Sequence, residues 1–399
     1  MENSIKVVGN NCCGCRTCEQ ICKQYAISFI ENNEGFLFPQ VDVEKCNSCG
    51  LCQSRCPILR PNVNNQSFFY KVAYNRNEKE LKKSSSGGIF KIFANEAICR
   101  HGAVVGCAYN SRGMPEHIIV KDEDELIKLQ GSKYIESDIG HIYSAVREEL
   151  KLGTFVLFSG TPCQVAGLLN FLNHKYENLV TMDIICHGVP SRKLYASYIK
   201  WYEDLLDGKI ESFDFRSKEK HGWSLTYQVK YLKKHKMKKI EKMASLSPYY
   251  EAFLNAETYR ESCYNCPYAS DKRPGDITVG DFWGVEKAYP EWFDLRGVSC
   301  VILNTSSGVK FWNDCKDKIC SMDVDGSIVI KNNGNLREPS YRPEKRNFIY
   351  KELNHLGFAA IERKYLRCRN YWRDYIKDKI PNTIRYKIKK VAHFTNSKV

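Results

Sequence analysis

Cys12-Cys13-Gly14-Cys15-Arg16-Thr17-Cys18-Glu19-Gln20-Ile21-Cys22 is answered further along by Cys46-Asn47-Ser48-Cys49-Gly50-Leu51-Cys52-Gln53-Ser54-Arg55-Cys56-Pro57. Both stretches space four cysteines as C-x2-C-x2-C-x3-C, so this segment is an internal duplication. Three closely spaced thiolates can each take one iron of a cubane, and in two-cluster arrangements the fourth cysteine serves the other cluster. The spacing thus assigns Cys12, Cys15, Cys18 and Cys56 to one [4Fe-4S] cluster, and Cys46, Cys49, Cys52 and Cys22 to a second. Zinc also takes thiolate tetrads, but its sites pair two C-x2-C knuckles without the third closely spaced cysteine. Pro57 completes the second run, whereas Lys23 stands at the matching place in the first. Cys13 is surplus to the pattern and reads as a spare thiol.

These residues belong to a total of nineteen cysteines in 399 residues. The start of the chain lacks the basic segment and apolar core of a signal peptide, and no apolar run reaches the ~18 residues of a membrane helix. Clustered cysteines in that setting point to metal rather than disulfides, and the expected location is the cytoplasm. A hydrophobic content of 43% with 12% aromatics excludes a disordered or collagen-like polymer. The length suggests about two or three domains. Net charge is +14, and much of it is local: in 361–399, twelve Lys or Arg face Glu362, Asp374 and Asp378.

An Asn-rich linker at 61–66 closes the cysteine-rich module. Beyond it, Ile89, Ile92, Phe93 and Ala97 recur at helical spacing after Ser86-Gly87-Gly88, and 103–109 reads as a strand. Strand 154–158, a helix opened by Pro162, strand 180–185 and a helix begun at Pro190 continue in βαβ grammar. Two-residue alternation at 212–215 and 224–229 predicts further strands. The expected fold is an α/β core with an additional β-rich part, preceded by a small α+β bacterial-type ferredoxin domain. Expected boundaries are 1–62 for the two-cluster module, 63–150 and 151–345 for the two parts of the larger region, and 346–399 for a basic aromatic tail.

A second set of cysteines lies in that larger region. Cys163 follows one predicted strand and Cys186 the next; if those strands are parallel neighbours, both thiols emerge at the edge where α/β folds bind ligands. Cys263 and Cys266, with Pro267, form a C-x2-C pair. The four suffice for a third cubane or for zinc, while Cys163 and Cys186 also suit a buried core. Gln130-Gly131-Ser132-Lys133-Tyr134, Gly160-Thr161-Pro162-Cys163-Gln164, Cys186-His187-Gly188 and Gly280-Asp281-Phe282-Trp283-Gly284 complete a series of motifs. In that order, over roughly residues 5–340, the chain resembles the family of coenzyme F420 hydrogenase and dehydrogenase beta subunits. The resemblance implies an iron-sulfur flavoprotein with FAD, and a third [4Fe-4S] cluster on Cys163, Cys186, Cys263 and Cys266.

Ser86, Gly87 and Gly88 at a helix start expose backbone N–H groups to a phosphate, or form only a cap; the resemblance suggests FAD there. No G-x-G-x-x-G follows the first strand, so a Rossmann site is not expected. Lys133 and Tyr134 offer a cation and a ring, and Asp281, Phe282 and Trp283 form a turn suited to covering a planar ring. The expected activity is hydride exchange between a reduced carrier, coenzyme F420-like or other, and FAD, with single electrons relayed through the clusters. A flavin-free electron-transfer adaptor docking a partner through the α/β domain is the alternative. The expected partner is a redox carrier or ferredoxin-like protein. The tail suits an anionic membrane or an acidic partner, and nucleic acid is disfavoured. Cys99, Cys107, Cys300, Cys315, Cys320 and Cys368 share no spacing and read as core or surface thiols.

Overall fold

The computed structural model describes residues 4–64 and 67–380, together with Ile384. The N-terminal module holds an antiparallel hairpin, β1 (Ile27–Glu31) with β2 (Leu37–Val41), between the two cysteine loops. Each loop ends in a short helix, Thr17–Ile21 and Leu51–Ser54, opened by a residue in the left-handed region, Arg16 and Gly50. These occupy matched places in the duplication, so the repeat is conformational as well as compositional.

The other strands are β3 (Phe69–Asn75), β4 (Ala103–Tyr109), β5 (Pro115–Val120), β6 (Val156–Gly160), β7 (Leu179–Ile184), β8 (Lys209–Asp214), β9 (Thr226–Lys233), β10 (Lys236–Met243), β11 (Ile277–Asp281), β12 (Ser299–Leu303) and β13 (Ile319–Asp323). Eight form one sheet in the order β13-β3-β12-β11-β7-β6-β4-β5. The middle four run parallel, and antiparallel strands extend both sides.

Side chains alternate across a strand, and the central strands show it with apolar residues on both faces. Val104, Leu157, Val180 and Ile277 pack with helices Ile89–Cys99 and Ser306–Cys315. Val105, Val156, Phe158 and Leu179 pack with helices Ile142–Lys151 and Pro162–Leu172. Burial on both faces is the usual reason strands read as continuous apolar runs.

The remaining strands make a second sheet, β10-β9-β8. Its Phe213, Tyr227 and Val229 join an aromatic core against helix Arg192–Leu206. The expected tail needs correction here. Ile349, Tyr350, Leu353, Phe358, Ile361 and Leu366 belong to that same core, so 346–366 is part of the folded body. Beyond it, helix Tyr371–Asp378 buries Asp374 and Asp378 and exposes Trp372 and Ile376. Apart from Ile384, the basic stretch 381–399 lies outside the described residues. Among the described residues, no helix is long and apolar enough to cross a membrane.

Candidate redox site

β6 and β7 are adjacent and parallel, with Gly160 opposite Asp183. Cys163 sits in the first turn of helix Pro162–Leu172, which Thr161 and Gln164 cap reciprocally, and Thr161 Oγ1 lies 3.2 Å from Cys163 Sγ. Cys186 follows β7, and Cys263 and Cys266 come from the turn at Glu261–Asn265. Arg273, fully buried, anchors the chain after that turn: its guanidinium donates to Asp183 at 2.7 Å, and to the carbonyls of Tyr268 and Ile184. All four thiols line one cavity of about 580 Å³. Burial pushes Cys186 up to about 12 and Cys266 up to about 11, and raises Cys263 as well. Desolvated thiols of this kind keep their protons until a cation takes their place.

The N-terminal quartets differ in exposure. Cys12, Cys15, Cys18 and Cys56 are buried around a small cavity of about 10 Å³. Cys22, Cys46 and Cys52 pack half-buried on the same small core, and Cys49 is exposed. One quartet therefore faces the body of the protein and the other faces solvent. The inner loop is fastened by Thr17 Oγ1 donating to Gly167 O at 3.0 Å, Tyr268 Oη donating to Pro57 O at 2.6 Å, and Arg260 Nε donating to Cys12 O at 2.5 Å. Gly167 lies on the helix that carries Cys163, and Arg260 and Tyr268 flank Cys263 and Cys266. The ties that seat the module are therefore the ties that position the second set of thiols. Cys13, read as spare, lines both the small cavity and the large one. Cys107, read as a core or surface thiol, also lines the large cavity.

Ser86 and Gly88 line that cavity at the N-terminus of helix Ile89–Cys99, which has no side-chain cap. Gly88 caps it at φ +76°, and a Cβ on Gly87 would stand 2.5 Å from Ala73 O. Gly87 N–H donates to Ser299 Oγ at 2.9 Å, and Lys218 Nζ braces the turn through the carbonyls of Leu81 and Ser86. Lys133 lines the cavity, but its ammonium donates to Gln130 O and Gly131 O and lies over the Tyr109 ring, so its charge is already engaged. It lies in irregular chain. Tyr134 stacks on Phe253 at 4.4 Å between centroids and accepts from Arg216.

In the Gly280–Gly284 turn, Phe282 is buried in the core, and Trp283 lines the cavity, stacked on Trp223 at 5.5 Å. Asp281 is paired with buried Arg216 at 2.5 Å and accepts from Trp223 Nε1 at 2.8 Å. Burial pushes its carboxyl up, but Arg216 and the hydrogen bonds outweigh that and hold it below the ordinary range. Asp281 is thus a structural counter-charge rather than a free base. Arg216 and Trp223 carried no motif; their only signal was a buried acid needing a partner.

Among the described residues, no three His, Cys, Asp or Glu side chains close on a single metal ion. The donor chemistry fits iron-sulfur clusters: each set offers four thiols, while Glu136 and Asp281 on the same cavity wall are already paired with Arg260 and Arg216. A cavity within the usual range of cofactor sites, edged by an uncapped helix N-terminus and a turn that excludes a Cβ, fits a phosphate-bearing group.

Residues 154–324 match the family described as the C terminus of the coenzyme F420 hydrogenase/dehydrogenase beta subunit, and residues 11–58 match the 4Fe-4S dicluster domain. The F subunit of F(420)H(2) dehydrogenase from Methanosarcina mazei is 22% identical over 205 residues, 47% of this chain and 58% of that protein. Ferredoxin-type protein NapF of Escherichia coli K12 is 39% identical over 44 residues, 11% of this chain and 27% of NapF. The chain thus spans less than two thirds of either relative. A chain of the F420-reducing [NiFe] hydrogenase complex from Methanosarcina barkeri superimposes with TM-score 0.44 and 14% identity, covering 69% of this chain and 91% of that one. The two family matches thus place a 4Fe-4S dicluster domain, at 11–58, ahead of a region, 154–324, that is similar to the C terminus of coenzyme F420 hydrogenase/dehydrogenase beta subunits.

Proposed function

We propose that the protein is an iron-sulfur flavoprotein oxidoreductase that exchanges hydride between a reduced carrier of the coenzyme F420 class and FAD. Single electrons would then pass through three [4Fe-4S] clusters to or from a redox protein partner. A bound flavin supplies the exchange between paired and single electrons that cubanes cannot make alone. Cys163, Cys186, Cys263 and Cys266 would hold the third cluster, with Cys12, Cys15, Cys18 and Cys56 holding the inner and Cys22, Cys46, Cys49 and Cys52 the outer of the N-terminal pair.

The protein's own groups do the positioning. The uncapped N–H groups beyond Gly88 orient an anionic diphosphate, and Trp283, backed by Trp223, presents a flat wall. Arg216 keeps a fixed positive charge at that wall because Asp281 holds it in place. Exposed Cys49 marks the face where a partner would dock. The observation that carries the reading is that Cys163, Cys186, Cys263 and Cys266, the bare helix terminus and the Arg216–Trp283 wall share one cavity. The carrier class follows from the name of the Methanosarcina mazei relative.

The test is anaerobic protein reconstituted with iron, sulfide and FAD. About three four-iron clusters per chain are expected, with one flavin that bleaches on adding reduced coenzyme F420. Protein that holds only the N-terminal pair and no flavin would overturn the reading in favour of an electron-transfer adaptor.

A further inference from the structure

The duplication offers an internal control. Residue for residue, Cys13 in the first loop matches Asn47 in the second, and Gly14 matches Ser48. Gly14 and Ser48 share the left-handed region, at φ +74° and +56°, so the two loops have the same turn. They differ in what they face. A Cβ on Gly14 would stand 2.9 Å from Glu136 Oε1 and 3.2 Å from Arg260 Nη1, whereas Ser48 is exposed. The first loop is pressed into the body of the protein, and only there is the residue after the first cysteine a thiol.

That thiol stands between two ligand sets. It sits between Cys12 and Cys15, of the inner N-terminal quartet, in the chain, and lines the large cavity together with Cys163, of the third. Cys13 and Ile58 line both the small cavity bordered by the first quartet and the large one bordered in part by the third. A hydrogen bond to a ligand sulfur stabilises the charge a cluster gains on reduction and so raises its potential. One S–H can donate to only one sulfur at a time.

Resting on the three-cluster reading above, we propose that Cys13 is a positioning residue that couples the inner N-terminal cluster to the third cluster and sets their relative potentials through its S–H group. Asn47 has no such partner set because the outer cluster faces solvent.

The experiment compares anaerobic full-length wild type with Cys13→Ala and Cys13→Val, which lack a donor, and Cys13→Ser, which keeps one. Iron and sulfide are counted, and each cluster's midpoint potential is read by electron paramagnetic resonance during a redox titration. Wild-type iron content with one of the two facing clusters shifted to more negative potential in the donor-free variants is expected, with Cys13→Ser returning toward wild type. Cluster loss confined to the donor-free variants also supports the proposal, since the donor is what serine restores. Unchanged potentials at full iron content overturn it, and so does loss of a four-iron unit from all three variants, which would make Cys13 a ligand. Wild-type protein with only the N-terminal pair would instead refute the three-cluster reading itself, and this proposal with it.

Discussion

Replacing Arg260 with methionine removes one of the side chains that tie the N-terminal module to the wall of the large cavity. Arg260 is 1% exposed, and its guanidinium pairs with Glu136, itself 5% exposed. It also donates to Cys12 O and Leu37 O, and lies 4.1 Å from the centre of the Phe38 ring. Methionine fills similar space, so the loss is electrostatic rather than a cavity. Removing one member of a buried ion pair costs about 3–5 kcal/mol; the two abandoned carbonyls overlap with that cost, because they share the same group. A loss of about 4 kcal/mol is expected from a total that is usually ~5–15 kcal/mol.

The deficit should depend on pH. Burial raises the Glu136 carboxyl above its ordinary value even with Arg260 opposing. A raised carboxyl favours the fold at low pH and disfavours it increasingly as pH rises through the folded value. Without Arg260 that penalty grows, so R260M should lie closest to wild type near pH ~4 and furthest from it at neutrality. The double variant R260M/E136Q should recover about 1–3 kcal/mol, because no charge is then stranded. Urea unfolding followed by circular dichroism between pH 4.5 and 8 measures all of this. A deficit below ~1 kcal/mol at neutral pH, or one that does not change with pH, would refute the reasoning.

Cys163→Ser should lower iron content by ~4 per chain while the N-terminal pair keeps its visible spectrum; full iron content would remove Cys163 from the ligand set. Gly87→Ala forces a Cβ to within 2.5 Å of Ala73 O, so a cost of about 1–3 kcal/mol and faster flavin release are expected, read by thermal melting and flavin fluorescence. Burial pushes the Asp378 carboxyl up, but bonds from His221, Lys220 and Met243 N–H hold it well below the ordinary carboxylate range. Its contribution is therefore fully present above pH ~4 and is lost as pH falls from there through the folded value. Asp378→Asn should cost about 1.5–3 kcal/mol and speed proteolysis at helix Tyr371–Asp378; an unchanged cleavage rate would count against it.

The parallel centre of the sheet was readable because each strand is a short apolar run ended by a turn and followed by an amphipathic helix. That local grammar put Cys163 and Cys186 at neighbouring strand ends. The insertion of β3 between β12 and β13 was not readable, since antiparallel pairing across such separation leaves no periodic trace. Arg216, Trp223 and Arg260 were missed for a related reason: a buried charge is recognised by its partner, and Asp281 and Glu136 lie far away in sequence. Spacing counts ligands, so Cys13 looked superfluous until the fold set it on the same cavity as Cys163. The end of the chain misled through its charge, which hid Ile349, Leu353 and Ile361 among basic residues.

The tip of the β1–β2 hairpin carries Glu34, whose carboxylate meets Arg346 across 312 residues of sequence at 2.6 Å. Arg346 is fully buried there, and Gly35 lies against Lys193. During synthesis on the ribosome, the thiols of the duplicated loops emerge early, while Arg346, which pins their hairpin, follows 312 residues after Glu34. Docking of the hairpin is therefore completed well after the loop thiols have been made, and the order of synthesis separates the two in time.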